Sequence, residues 1–232
     1  MQSTLTHKSH GAVRLLLAVV LLSISGCGNG PPVVDDADDV NRLSASTQSV
    51  RARGMSDEDV YALGRLKDLV RLDFTGGWGG MDAKLTDKGL KTIANLGLDN
   101  LEDLSIGWCA RITDEGMKSI ENFPSLSMLL LAKSPNLTDE GLRWIVKSDS
   151  LVYLDLGGCP GITDAGLLVL AQKGNWEELH FDRCPAVTDR GVEELARLLP
   201  GARIRKNDNC WDSIHGYESA EDAGEESADS RD

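Results

Sequence analysis

Leu85-Thr86-Asp87-Lys88-Gly89-Leu90 is the stretch that decides the fold, because it returns four more times. The copies are Ile112-Thr113-Asp114-Glu115-Gly116-Met117, Leu137-Thr138-Asp139-Glu140-Gly141-Leu142, Ile162-Thr163-Asp164-Ala165-Gly166-Leu167 and Val187-Thr188-Asp189-Arg190-Gly191-Val192. From the second copy onward the interval is a constant 25 residues. A fixed period of this size marks a chain built from one supersecondary unit stacked on itself. Upstream of each copy runs a second pattern, with apolar residues at its first, fourth and sixth places: Leu69, Leu72, Phe74; Leu101, Leu104, Ile106; Leu126, Leu129, Leu131; Leu151, Leu154, Leu156; and Trp176, Leu179, Phe181.

One repeat shows the physics. In Leu151-Val152-Tyr153-Leu154-Asp155-Leu156 the alternation puts Leu154 and Leu156 on one face of a short strand and Tyr153 and Asp155 on the other. Thr163-Asp164 then reads as a helix start, the hydroxyl accepting from an orphan amide and the carboxylate favouring the positive end of the helix dipole. Leu167, Leu168, Leu170 and Ala171 are the expected apolar stripe of that helix. A single coil cannot bury both stripes, so coils must stack. With aromatics at 5% of the chain, the core rests on aliphatic side chains.

The run L-x-x-L-x-L-x-x-C-x-x-I-T-D-x-G-L resembles the cysteine-containing subtype of leucine-rich repeats, and the match extends from about Met55 to Asp208. The resemblance implies an α/β fold: a right-handed leucine-rich-repeat solenoid, a short horseshoe with a concave parallel β-sheet and outer helices. The Cys position of the repeat holds Cys109, Ser134, Cys159 and Cys184, while Cys210 falls one place beyond the next register. Met55-Ser56-Asp57-Glu58-Asp59-Val60 reads as a worn copy that caps the N-terminal end. The main irregularity is a loop containing Gly76-Gly77-Trp78-Gly79-Gly80. Cysteines at multiples of the repeat predict a buried row of reduced thiols bonded to loop backbone. A Cys159–Cys184 disulfide is the alternative that adjacent coils leave open. No CxxC or His pairing supplies tetrahedral zinc ligands, so no metal is expected.

The N-terminus carries a different signal. Lys8 and Arg14 precede the ten-residue apolar run Leu15–Ile24, too short to span a bilayer but suited to a signal-peptide core. Leu22-Ser23-Ile24-Ser25-Gly26-Cys27 resembles a bacterial lipobox. The implied organisation is a lipoprotein signal peptide over 1–26, a lipidated Cys27 with a disordered tether to residue 48, a repeat domain over 49–210 and an acidic disordered tail over 211–232. The tether's reach would be about 25 Å. The implied location is the cell envelope, lipid-anchored and extracytoplasmic. Gly28, where an Asp would favour retention in the inner membrane, leans the destination to the outer membrane of a two-membrane cell.

The formal net charge of −13 argues against a nucleic-acid partner, which would need concentrated Lys and Arg. Neither a nucleophile–base pair nor a phosphate-binding glycine loop is present in the sequence, so no enzyme activity, cofactor or small-molecule substrate is expected. The strand side chains pointing away from the core are the candidate site. Trp108, Met128, Leu130 and Tyr153 stand at its centre, with Asp155, Glu178, His180, Arg203 and Arg205 towards one end. An aromatic and apolar centre with a charged rim is the composition of a protein-binding patch. The expected partner is therefore a protein or envelope polymer at the concave face, with the membrane reached through the lipid anchor. Coverage of that face by the Trp78 loop is the competing reading. Because the same repeat subtype typifies F-box proteins, substrate recognition in a ubiquitin ligase is the alternative function; a purely structural envelope protein is another.

Overall fold

The computed structural model of the chain describes residues 30–75 and 84–207. The signal segment, Cys27, the Gly76–Gly80 run, Cys210 and the acidic tail lie outside the described residues. What is described is one parallel sheet whose eight strands follow in chain order: β1 (Val33–Val34), β2 (Ser49–Ala52), β3 (Arg71–Asp73), β4 (Asp103–Ser105), β5 (Met128–Leu130), β6 (Tyr153–Asp155), β7 (Glu178–His180) and β8 (Arg203–Arg205). Leu72, Leu104, Leu129, Leu154, Leu179 and Ile204 stand opposite one another in successive strands, so the apolar positions of the repeat form a single core row. Between the strands run helices α1 (Ala37–Arg42), α2 (Asp87–Ala94), α3 (Asp114–Met117), α4 (Asp139–Ile145), α5 (Asp164–Leu170) and α6 (Asp189–Leu198), with 3₁₀ segments at Val60–Arg65 and Ile120–Asn122. This is the α/β leucine-rich-repeat solenoid.

The Thr-Asp-x-Gly motif explains why the coils lock in register. In α2 to α5 the preceding Thr sits in extended backbone, and its hydroxyl accepts from the amide two residues on, as Thr163 does from Ala165 at 3.1 Å. The Asp that follows works across coils. Its carboxylate accepts both the backbone N–H and the hydroxyl of the next coil's Thr: Asp87 from Thr113 at 2.8 and 2.7 Å, Asp114 from Thr138 at 2.8 and 2.6 Å, Asp139 from Thr163 at 2.9 and 2.6 Å, and Asp164 from Thr188 at 2.8 and 2.7 Å. The worn copy joins the ladder, since Asp57 accepts from Thr86 at 2.9 and 2.5 Å. The glycine is needed because the previous coil's carboxylate lies against it. A Cβ at Gly141 would stand 2.5 Å from Asp114 Oδ1, and Gly89, Gly116, Gly166 and Gly191 are equally crowded by their own Asp.

Two expectations are corrected here. From residue 30 onward the segment read as a disordered tether is folded. Val34 and Val40 are buried anchors, Asp36 caps α1 by accepting from Asp39 at 2.9 Å, and Arg65 ties the turn down through the carbonyls of Val40 and Leu43, both at 2.8 Å. The folded unit therefore begins before residue 49. Its aspartates resembled solvated linker, but Asp36 starts a helix and Asp38 and Asp39 sit in its first turn, where negative charge is favoured. In α5, Leu168 faces outward and Val169 is buried beside Leu167 and Leu170.

Candidate functional site

On the sheet face opposite the core, strand register sets two rows of side chains. One includes Arg71, Asp103, Met128, Tyr153, Glu178 and Arg203; the other includes Asp73, Ser105, Leu130, Asp155, His180 and Arg205. Charge collects at both flanks. Arg51 faces Asp73 at 3.4 Å and Arg71 faces Asp103 at 3.9 Å on one side; Arg203 meets Glu178 at 2.9 Å and Arg205 meets Asp182 at 3.2 Å on the other. Met128, Leu130 and Tyr153 fill the middle. The sequence placed these groups in the right rows, but not all of them in solvent.

Met128, Tyr153, Glu178 and His180 are buried, whereas Leu130, Asp155 and Arg205 are half-buried and Arg203 is exposed. The reason is lateral reach. Neighbouring strands lie about 4.8 Å apart, close enough for long side chains to close over one another. Tyr153 OH meets His180 Nδ1 at 3.0 Å, His180 Nε2 meets Glu178 Oε1 at 2.8 Å, and Arg203 donates to Glu178 Oε2 at 2.9 Å. The Tyr153 and His180 rings also stand edge to face, with centroids 5.1 Å apart. Burial alone would raise the Glu178 carboxyl, but the His180 and Arg203 contacts outweigh it and hold the pKa below the ordinary value. Asp155 Oδ1 accepts from the Gly157 amide at 2.8 Å, with His180 and Arg205 acting on it as neighbouring charges.

Two carboxyls on this face are shifted the other way. Burial pushes Asp103 up to about 7, against the pull of Arg71 and with a further push from Asp73. Burial likewise raises Asp155. Near neutral pH Asp103 therefore carries less than its full negative charge.

At the C-terminal ends of the strands, each coil turns through one left-handed residue. Trp108, Lys133, Gly158 and Arg183 occupy this place in four successive coils, with φ of 62°, 59°, 72° and 56°. The turn is fixed by backbone, the amides of Trp108, Lys133 and Gly158 donating to Ala132, Gly157 and Asp182 of the following coil at 2.9, 2.7 and 2.7 Å. Trp108 thus stands in the loop bordering the face, not on the strand surface where the sequence placed it. Lys133 Nζ lies 3.7 Å from the centroid of its ring. A residue other than glycine in this conformation is disfavoured by about 1 kcal/mol. The sequence reading missed Lys133 and Arg183, although Gly158 at the equivalent place signalled the left-handed turn.

The next residue in each coil forms the cysteine row. Cys109, Cys159 and Cys184 are free and buried. Cys159 donates to Leu131 O at 3.3 Å and Cys184 to Leu156 O at 3.1 Å, so these two thiols bond to the preceding coil. Burial raises their pKa values to about 12, 12 and 11, which keeps them protonated. Ser134 takes the remaining place, and its buried hydroxyl has no hydrogen-bond partner, its shorter side chain falling short of the equivalent carbonyl.

Two segments of the chain, residues 99–120 and 147–171, match a family model described as Leucine Rich repeat. No curated protein matches the sequence. Among solved structures, an internalin C2 from Listeria monocytogenes strain 4b F2365 is similar at 20% identity and a TM-score of 0.52, over 77% of this chain and 72% of that one. Rad7 in complex with Elc1 from yeast gives 16% identity and a TM-score of 0.47, over 74% and 54% of the two chains. TLR13 in complex with a single-stranded RNA gives 17% and 0.46, over 70% and 26%. The likeness to the internalin concerns fold alone. Together with the family-model match, the parallel sheet and the 25-residue period, it gives this chain the fold of the leucine-rich repeats.

Proposed function

We propose that the protein is a membrane-anchored, extracytoplasmic recognition module that binds a protein partner across its strand face and performs no chemistry of its own. The observation that carries this reading is the composition of that face: a half-buried Leu130 flanked by charge, with Arg203 exposed at the rim. An apolar centre gives affinity and a charged rim gives register and selectivity. The fixed Tyr153–His180–Glu178–Arg203 chain supports it, because a surface whose side chains are already held loses little entropy on binding. Anchoring rests on the lipobox-like ending at Cys27. The ubiquitin-ligase alternative rests on repeat subtype alone.

The test has two arms. Expressed in a two-membrane bacterium, the full chain should incorporate radiolabelled palmitate and fractionate with membranes, and Cys27→Ser should abolish both. Crosslinking capture from envelope extract should retain one protein species that Leu130→Lys combined with Arg203→Glu loses. Capture that is insensitive to the pair moves the site off this face, and an unlabelled chain removes the anchor.

A further inference from the structure

The left-handed row bordering the strand face is chemically unlike its surroundings. The chain has a net charge of −13, yet this edge presents Trp108, Lys133 and Arg183, all half-buried, and no acid at any of its four places. Glycine is the residue the backbone favours there, and Gly158 shows that the coil accepts it. The Lys133–Trp108 stacking offsets strain at two of the three other positions. Nothing of the kind offsets it at Arg183, whose guanidinium has no hydrogen bond or ion pair among the described residues. Lys133 and Arg183 also repel each other: burial first and the Arg183 charge second hold the Lys133 pKa below its ordinary value. Two cations on strained backbone, with no acid at the left-handed place between them, offer an anion a pair of positive groups along this edge.

We propose that the edge formed by Trp108, Lys133, Gly158 and Arg183 docks an extended acidic segment of the protein partner. This deepens the recognition reading given above and rests on it. The spacing fits. Lys133 and Arg183 are two coils apart, roughly 10 Å along the sheet, which an extended chain covers in about three residues. Gly158 between them carries no side chain of its own and is covered by the Lys133 stem, a Cβ there standing 2.9 Å from Lys133 Cγ, so the segment runs along that stem with carboxylates reaching the cation on either side. The acidity of the rest of the molecule discourages such a segment from settling elsewhere, while at physiological salt the distant charges are screened and the local cations decide.

The probe is a fluorescein-labelled peptide with glutamates three residues apart, measured by anisotropy on the full chain beside its glutamine counterpart. The glutamate peptide is expected to bind and the glutamine one to bind at least 10-fold more weakly. Arg183→Gly and Lys133→Ala should each weaken binding at least 5-fold. Arg183→Gly should at the same time raise the melting temperature, a combination that a structural role for the arginine does not give. The proposal is overturned if the two peptides bind alike, if neither binds, or if the variants bind undiminished. It is also overturned if oligothymidylate or phosphatidylglycerol vesicles bind more tightly than the peptide through the same two residues. An envelope partner lost with the Leu130 and Arg203 substitutions but kept by Arg183→Gly and Lys133→Ala would overturn the acidic edge while leaving recognition by the strand face intact.

Discussion

At the start of the outer helices five coils keep the same Thr-Asp-x-Gly, whereas at the left-handed turn after the strands four coils carry four different arrangements: an indole, an ammonium, no side chain and a guanidinium. Both places are tightly constrained by backbone. At the first, Thr, Asp and Gly each meet a demand of the neighbouring coil, and any change breaks a contact between coils. At the second, the backbone asks only for positive φ, which glycine meets best, and three coils depart from it. Uniformity therefore marks what stacking requires, and costly variety marks surface that stacking does not explain.

The sharpest way to break the ladder is Gly166→Ala. The added methyl would overlap the Asp139 carboxylate and push it off Thr163, for an expected loss of about 3 kcal/mol in urea unfolding. Combined with Asp139→Ala, the clash with the carboxylate disappears and only the end of the flexible Leu142 side chain, 2.9 Å away, must shift, so the double variant should be less destabilised than the sum of the two single ones.

Next in size is the pH response of the strand face. Because the folded Asp103 pKa of about 7 lies above its unfolded value, its contribution favours the folded state at low pH and is lost as pH rises from about 4 through 7. Asp103→Asn should remove about 2 kcal/mol of that decline, seen by comparing unfolding at pH 5 and pH 8. An unchanged difference between the two pH values would mean that the carboxyl is well solvated.

Smaller effects test the turn and the row beside it. Arg183→Gly should stabilise by about 1 kcal/mol through relief of the left-handed backbone, whereas the same exchange at an ordinary exposed loop residue destabilises. Ser134→Cys should add about 0.5–1 kcal/mol, because a thiol in that row reaches the preceding coil's carbonyl and the hydroxyl does not. Calorimetric melting measures both. A Ser134→Ala variant as stable as Ser134→Cys would assign the gain to loss of an unsatisfied hydroxyl instead.

The repeat made most of the fold legible. Leu154 with Leu156, Thr163 as a cap and the buried thiols follow from spacing and elementary capping, and all stand where the pattern puts them. What was missed depends on contacts between coils. Asp164 was legible as a dipole partner, but its bonds to Thr188 join residues 24 apart and surface only when coils are stacked. Tyr153 and His180 were assigned to the correct side of their strands. Register fixes direction, however, and not how far one side chain leans over the next, so their burial could not be read. Val34 and Val40 escaped notice because two valines among aspartates form no periodic pattern, and their burial comes from docking at the end of an existing stack.

The Asp-to-Thr bonds all run one way, each coil holding out an acceptor for its successor, and at the far end Asp189 is met by Lys206 at 3.0 Å instead of a threonine. A coil inserted between two others finds a carboxylate below it and offers one above, so copy number is not written into any single interface. Duplicating residues 138–162, one 25-residue period, should lengthen the stack by about 4.8 Å without altering an existing contact. Chains built this way can change the length of the surface they present by unequal exchange of gene segments, and the fold sets no penalty against it.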